Sequence, residues 1–148
     1  MSFKRCAIVP SHNHSAMIGE IVRELRGNDL FVFVIDDGSD EVHRIALAKL
    51  HAAAEGVEVH RFAVNRGKGA AVMKGVELAT AAGFTHALQI DADGQHDLSQ
   101  VPAMLALGRD HPDALIAGKP IYDETMPRSR RIGRWITNFW VGIETLSL

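Results

Sequence analysis

Short apolar runs alternate along this chain with stretches in which apolar residues recur every three to four positions. Cys6-Ala-Ile-Val-Pro10 and Phe31-Val-Phe-Val-Ile35 are continuous apolar runs, the pattern of strands buried on both faces. Val57 to Phe62 alternates, and His86-Ala-Leu-Gln-Ile90 and Ala114 to Ala117 are shorter strand candidates. Between them lie helical patterns. Ser15 to Arg26 carries Met17, Ile21, Val22 and Leu25 on one face. Glu41 to Glu55 follows, then an alanine-rich stretch, Lys68 to Ala82, stopped by Gly83. A fourth helix opens at Asp97 or Ser99 and runs to about Arg109. Five strands separated by four helices predict an α/β, Rossmann-like, mostly parallel sheet with helices on both faces.

The last part of the chain reads differently. Lys119 to Arg130 holds Pro120, Pro127 and many charges, and is expected to be mobile. Arg128 to Leu148 reads as an amphipathic helix with no stop signal, with Ile132, Trp135, Ile136, Phe139, Trp140, Ile143 and Leu146 on one broad face. The expectation is a sheet core over about residues 1–120, a mobile segment and helix over 121–148, and a domain that continues past Leu148. That apolar face would pack on a further part of the domain, on a second copy of the chain, or on a membrane surface.

Composition narrows the class without naming a function. The chain has 148 residues, 47% of them hydrophobic and 23% charged, which suits one globular domain. Its net charge of −2 argues against a protein that coats nucleic acid. The single cysteine, Cys6, cannot form an internal disulfide, so a reducing, cytoplasmic setting is expected. No signal peptide or membrane-spanning run is evident, and peripheral attachment at the inner face of a membrane fits the terminal helix.

In an open parallel sheet ligands bind beyond the carboxyl ends of the strands, and four polar clusters fall there. They are Pro10-Ser-His-Asn-His14, Asp36-Asp-Gly-Ser-Asp40, Asn65-Arg-Gly-Lys-Gly69 and Asp91-Ala-Asp-Gly-Gln-His96. Asp91 and Asp93, one residue apart, can face one hard cation such as Mg²⁺ or Mn²⁺, with Gln95 and His96 close enough to add to the shell. Taken alone the triplet also reads as a solvated turn. A carboxylate at Asp36 or Asp37 can accept hydrogen bonds from a nucleobase or a ribose; the same residues also suit a tight turn at Gly38. The Asn65–Gly69 cluster places glycines and cations at a helix start, where an anion is favoured and Lys68 can reach a phosphate. Its spacing fits neither a P-loop nor a dinucleotide fingerprint. His12 and His14 suit polar or stacking contact with a base, or a structural role.

These clusters, in this order, resemble the inverting family 2 glycosyltransferases of the GT-A fold, closest to the dolichyl- or polyprenyl-phosphate sugar transferases. The resemblance spans about residues 5 to 120. It implies that Pro10, His12 and Asn13 line a nucleotide pocket, that Asp36 contacts the base with Asp37 in support, and that Lys68 sits near the nucleotide. It implies that Asp91 and Ala92 lie against the nucleotide-sugar, and that Asp91, Asp93 and Gln95 hold Mg²⁺ or Mn²⁺. The implied donor is a UDP- or GDP-sugar, and a polyprenyl phosphate is a candidate lipid-phosphate acceptor. The chain departs from the family in two places. His12 and His14 stand where the family carries Tyr and Glu, and no acidic residue followed by a G-F-R-like turn occurs before Leu148, so no catalytic base can be named. The competing expectation is a non-catalytic nucleotide-binding or scaffold module with the donor half only. A nucleotidyltransferase ranks last, because Ser11-His-Asn-His14 is not a Gly- and Arg-rich loop.

Overall fold

A computed structural model describes residues 3–118 of the chain. Four strands, β1 (Arg5–Ser11), β2 (Phe31–Asp36), β3 (Val57–Arg61) and β4 (His86–Gln89), form one parallel sheet in the order β3-β2-β1-β4. The helices are α1 (Ile18–Gly27), α2 (Glu41–Ala53), α3 (Lys68–Ala81) and α4 (Val101–Asp110), the last entered through a 3-10 turn at Leu98–Gln100. This is the α/β, Rossmann-like parallel arrangement that the alternation of patterns predicts, and it is consistent with the GT-A fold that the resemblance implies.

Connection handedness explains which helix covers which face. From β1 to β3 the chain steps one way across the sheet, and right-handed crossovers put α1 and α2 on the same side. It then returns past β2 and β1 to reach β4, so α3 lies on the other side. The two cores agree. Ala7, Val9, Val32 and Val34 pack with Ile21, Val22 and Leu25 of α1, Leu47 of α2 and Val101 of α4. Cys6, Ile8, Phe33 and Ile35 pack against Ala71 and Ala79 of α3. The α3 helix sits close because its sheet-facing stripe is small: a Cβ at Gly75 would lie 2.4 Å from Ile8 Cγ2. Burial pushes the Cys6 thiol up to about 11, so it is held as an inert, protonated core residue.

Helix ends follow their local chemistry. Asp40 caps α2 through the His43 N–H, and Asp97 caps the turn before α4 through the Ser99 N–H. After α3, Gly83 takes φ +79°, and its N–H and that of Phe84 reach back to Thr80 and Ala79, a glycine stop.

Two expectations are corrected. The helix anticipated from Ser15 begins at Ile18, because residues 11–15 are spent in loop hydrogen bonds and the Met17 carbonyl accepts the first helical N–H groups. Met17 accordingly leaves the buried face, and its side chain lies beside Gly94. The fifth strand expected at Ala114–Ala117 is absent: those residues are irregular, Leu115 is 95% exposed, and β4 is an edge strand among the described residues. An apolar run forms a strand only where a neighbour offers its backbone. The helix expected at Arg128–Leu148 and the division near residue 120 lie outside the described residues. Among the described residues no helix is long and apolar enough to cross a membrane.

Candidate functional site

All four strands deliver their polar clusters to one edge, and the cleft forms where the strand order reverses, between the ends of β1 and β4. Its volume is about 370 Å³, within the usual range for a small-molecule site. Pro10, Ser11, His12 and His14 come from the end of β1 and its loop, and Asp37 from the end of β2. Asn65, Gly67, Lys68 and Ala71 come from the start of α3, and Asp91, Ala92 and Asp93 follow β4. Seven residues expected at the site thus meet in one cleft: Pro10, His12, Asp37, Lys68, Asp91, Ala92 and Asp93.

Asn13, Asp36 and Gln95 do not line it. Strand alternation turns Asp36 to the face of Val32 and Val34, and register pairs it with Arg61 on β3. Its carboxylate accepts from Arg61 and from the Ser39 N–H at 2.9 Å, and Asp36 is 1% exposed. Arg61 also donates to the Ser39 carbonyl at 2.8 Å. Asn13, at φ +56°, ties the first loop to the second: its N–H donates to Ser39 Oγ and its Oδ1 accepts from the Asp40 N–H, each at 2.9 Å. The Gln95 N–H donates to Asp93 Oδ1 at 3.0 Å, closing a tight turn.

Asp37 is buried and organises the anion-facing side of the cleft. Its two oxygens accept from the Arg66 N–H at 2.7 Å and the Gly67 N–H at 2.9 Å. That fixes the loop into α3, whose capping residue is Gly67, with no side chain to block the helix end. The first N–H groups of α3 and the Lys68 ammonium therefore front the cleft, a setting that suits an anion. His12 Nδ1 lies 2.9 Å from the Asp37 carbonyl. A carbonyl only accepts, so Nδ1 is the donor in this contact, and Nε2 is the ring nitrogen left to face a ligand.

The opposite wall is acidic. Asp91 Oδ2 takes the Lys68 ammonium at 2.7 Å and has His96 Nε2 at 3.5 Å, while Oδ1 accepts from Gln89 Nε2 at 2.8 Å. Partial burial pushes the Asp91 carboxyl up, but Lys68, and then His96, outweigh it and hold it below its ordinary value. Asp93 is exposed.

Among the described residues no group of three or more His, Cys, Asp or Glu side chains is placed to hold a metal ion. Two carboxylates on one cleft still fit a hard cation that completes its shell with phosphate oxygens and water, which is how Mg²⁺ is usually held beside phosphates.

Sequence reasoning left three contributors unnamed as site residues. Ser11 belongs to the first polar cluster but carries no assigned role there, and it lines the cleft. Gln89 was read as strand. Arg61 acts through strand register, which no local pattern reveals. Asn65 and Gly67 were visible within their motif.

Comparison with known proteins follows the same residues. Residues 6–146 match the family model described as glycosyl transferase family 2. An uncharacterized protein of Methanocaldococcus jannaschii is 32% identical over 138 residues, covering 89% of this chain and 54% of that protein. A second uncharacterized protein of the same organism is 28% identical over 141 residues, covering 94% of this chain and 59% of its own length. The chain spans a little over half the length of both relatives.

Proposed function

The chain belongs to glycosyl transferase family 2, and from that premise we propose that it forms the donor side of an enzyme that moves a sugar from a nucleoside diphosphate to an acceptor. One observation carries the reading: the cation-fronted start of α3 and the Asp91–Asp93 carboxylates face each other across a single cleft. A nucleoside diphosphate needs both walls. Its phosphates call for N–H groups and an ammonium, which the α3 start and Lys68 supply. Its departure from the sugar builds negative charge, which a divalent cation neutralises as a Lewis acid. Asp91 and Asp93 are the residues that would hold Mg²⁺ or Mn²⁺, with Gln95 beside them.

The β1 loop suits the nucleoside. His12 presents a ring face and its Nε2, and Pro10 offers an apolar contact. Asp36 enters this reading as a support for the Asp37 loop, since both of its oxygens are engaged. A base that uses Asp36 directly would have to displace Arg61. The transfer inverts the anomeric centre, as the family resemblance implies, and a polyprenyl phosphate is the acceptor we favour.

Calorimetry with UDP- and GDP-sugars, with and without Mn²⁺, tests the donor reading. Saturable binding of one of them, strengthened by Mn²⁺, is expected. A folded sample that binds neither, with or without metal, would refute it.

A further inference from the structure

We propose that Lys68 is the resident counter-ion of Asp91, and that donor binding works by exchange: the carboxylate passes from the Lys68 ammonium to a divalent cation while Lys68 passes to the diphosphate. The proposal rests on the donor reading above and gives it a coupling device.

The geometry sets it up. Before any ligand arrives, both Asp91 oxygens already have donors, Lys68 Nζ at 2.7 Å on Oδ2 and Gln89 Nε2 at 2.8 Å on Oδ1. A cation that takes Oδ2 therefore competes there with the Lys68 ammonium and with His96 Nε2, 3.5 Å away. The two partners are 23 residues apart in the chain and both line the cleft, so the pair lies within the space that a ligand would enter. Parting it is cheap, because the Lys68 side chain is 58% exposed and its long stem can swing within solvent. It is also productive, because Lys68 begins α3 and, once released, stays beside the N–H groups that front the same cleft. Asp93 has no cationic side chain against it among the described residues, its Oδ1 being held only by the Gln95 backbone.

The consequence is a linkage of definite sign. In this exchange, whichever of cation and diphosphate binds first bears the cost of parting the Lys68–Asp91 pair, and the second finds its partner already released. Each ligand therefore raises the affinity for the other by the same factor. The pair also keeps Asp91 neutralised in the absence of donor, which disfavours a bare cation in the cleft.

Replacing Lys68 with Met separates the two halves with opposite signs. Mn²⁺ alone, titrated into the full chain by electron paramagnetic resonance, should bind about fivefold tighter than in the wild type, the scale of an exposed ion pair. UDP or GDP alone should bind about tenfold weaker, the scale of one charge-assisted contact. The factor by which Mn²⁺ strengthens nucleotide binding should shrink. Lys68→Arg, which keeps the charge, should restore wild-type Mn²⁺ affinity, and circular dichroism should show both variants folded. Mn²⁺ affinity that is unchanged or weaker in Lys68→Met overturns the exchange. If no variant and no wild-type sample binds UDP or GDP, but Mn²⁺ still tightens in Lys68→Met, the counter-ion role stands and the donor reading alone falls.

Discussion

Asp36-Asp37 and Asp91-Asp93 are two carboxylate pairs, each at the carboxyl end of a parallel strand, and the fold treats them in opposite ways. Asp36 and Asp37 are 1% and 3% exposed, and all four of their oxygens are satisfied by Arg61 or by backbone N–H groups of Ser39, Arg66 and Gly67. Asp91 is half-buried and Asp93 exposed, and the partners of Asp91 are side chains that can swing away. The first pair is spent on holding loops in place. The second keeps its charge available to a ligand. Carboxylates held by backbone N–H groups are costly to disturb, since their loss strands buried donors, whereas exposed ion pairs contribute little to stability. Substitutions should therefore damage the fold at the β2 end and spare it at the β4 end.

The largest effect is expected at Gly38, the pivot of the buried corner. It sits at φ +69°, and a Cβ there would lie 2.5 Å from Asn65 N and from Val64 C. Strain and overpacking together should make Gly38→Ala cost roughly 2–5 kcal/mol in urea unfolding. A loss under about 1 kcal/mol would mean that the approach of the two loops is not a constraint.

Asp37→Asn comes next. The amide keeps the shape but sets an NH₂ group against one of the N–H donors it now accepts from, at a cost of about 1–3 kcal/mol. Hydrogen exchange at the Arg66 and Gly67 amides should rise more than at the core strands. Uniform loss of protection would show instead that Asp37 supports the whole sheet and not the loop into α3.

The contrast between the two pairs also marks what a sequence can carry. Each polar cluster directly follows an apolar run, so the convergence of Pro10, His12, Asp37, Lys68, Asp91 and Asp93 on one edge was legible from strand periodicity and the parallel-sheet rule alone. Burial within a cluster was not. Whether Asp36 or Asp37 faces the cleft depends on which residue ends β2, and the capture of Asp36 by Arg61 depends on the β2–β3 register. The Lys68–Asp91 contact joins residues whose meeting is set by the whole crossover through α3. Ala114–Ala117 was misread for a related reason: an apolar run states what a segment would bury, and only the neighbouring backbone decides whether it pairs.

A smaller effect is expected from acid. The Asp91 carboxyl is held below its ordinary value of 3.8, so the unfolded chain takes up that proton first as pH falls. The Lys68–Asp91 pair then stabilises the fold fully above the unfolded value and loses that contribution only as pH drops through the lower folded value. Unfolding of the wild type minus that of Asp91→Asn should give a difference of a few tenths of a kcal/mol, constant from pH 7 down to the unfolded value and vanishing below it. A difference that fades already between pH 7 and 5 would show that the Asp91 carboxyl is not held below its ordinary value in the fold.

The smallest effect on stability, and the sharpest for the comparison, is expected at Asp93. Its side chain is exposed, and its Oδ1 accepts only from the Gln95 N–H of its own turn. Asp93→Asn preserves that acceptor, so unfolding should shift by no more than about 0.5 kcal/mol. The lost charge should still remove most of the strengthening that Mn²⁺ gives to nucleotide binding, with nucleotide binding in the absence of metal unchanged. A carboxylate that costs nothing to neutralise in the fold and much in the liganded state is one whose charge the fold itself does not use. If Asp93→Asn instead unfolds as readily as Asp37→Asn, the two pairs are not opposites, and the β4 corner is a structural turn like its neighbour.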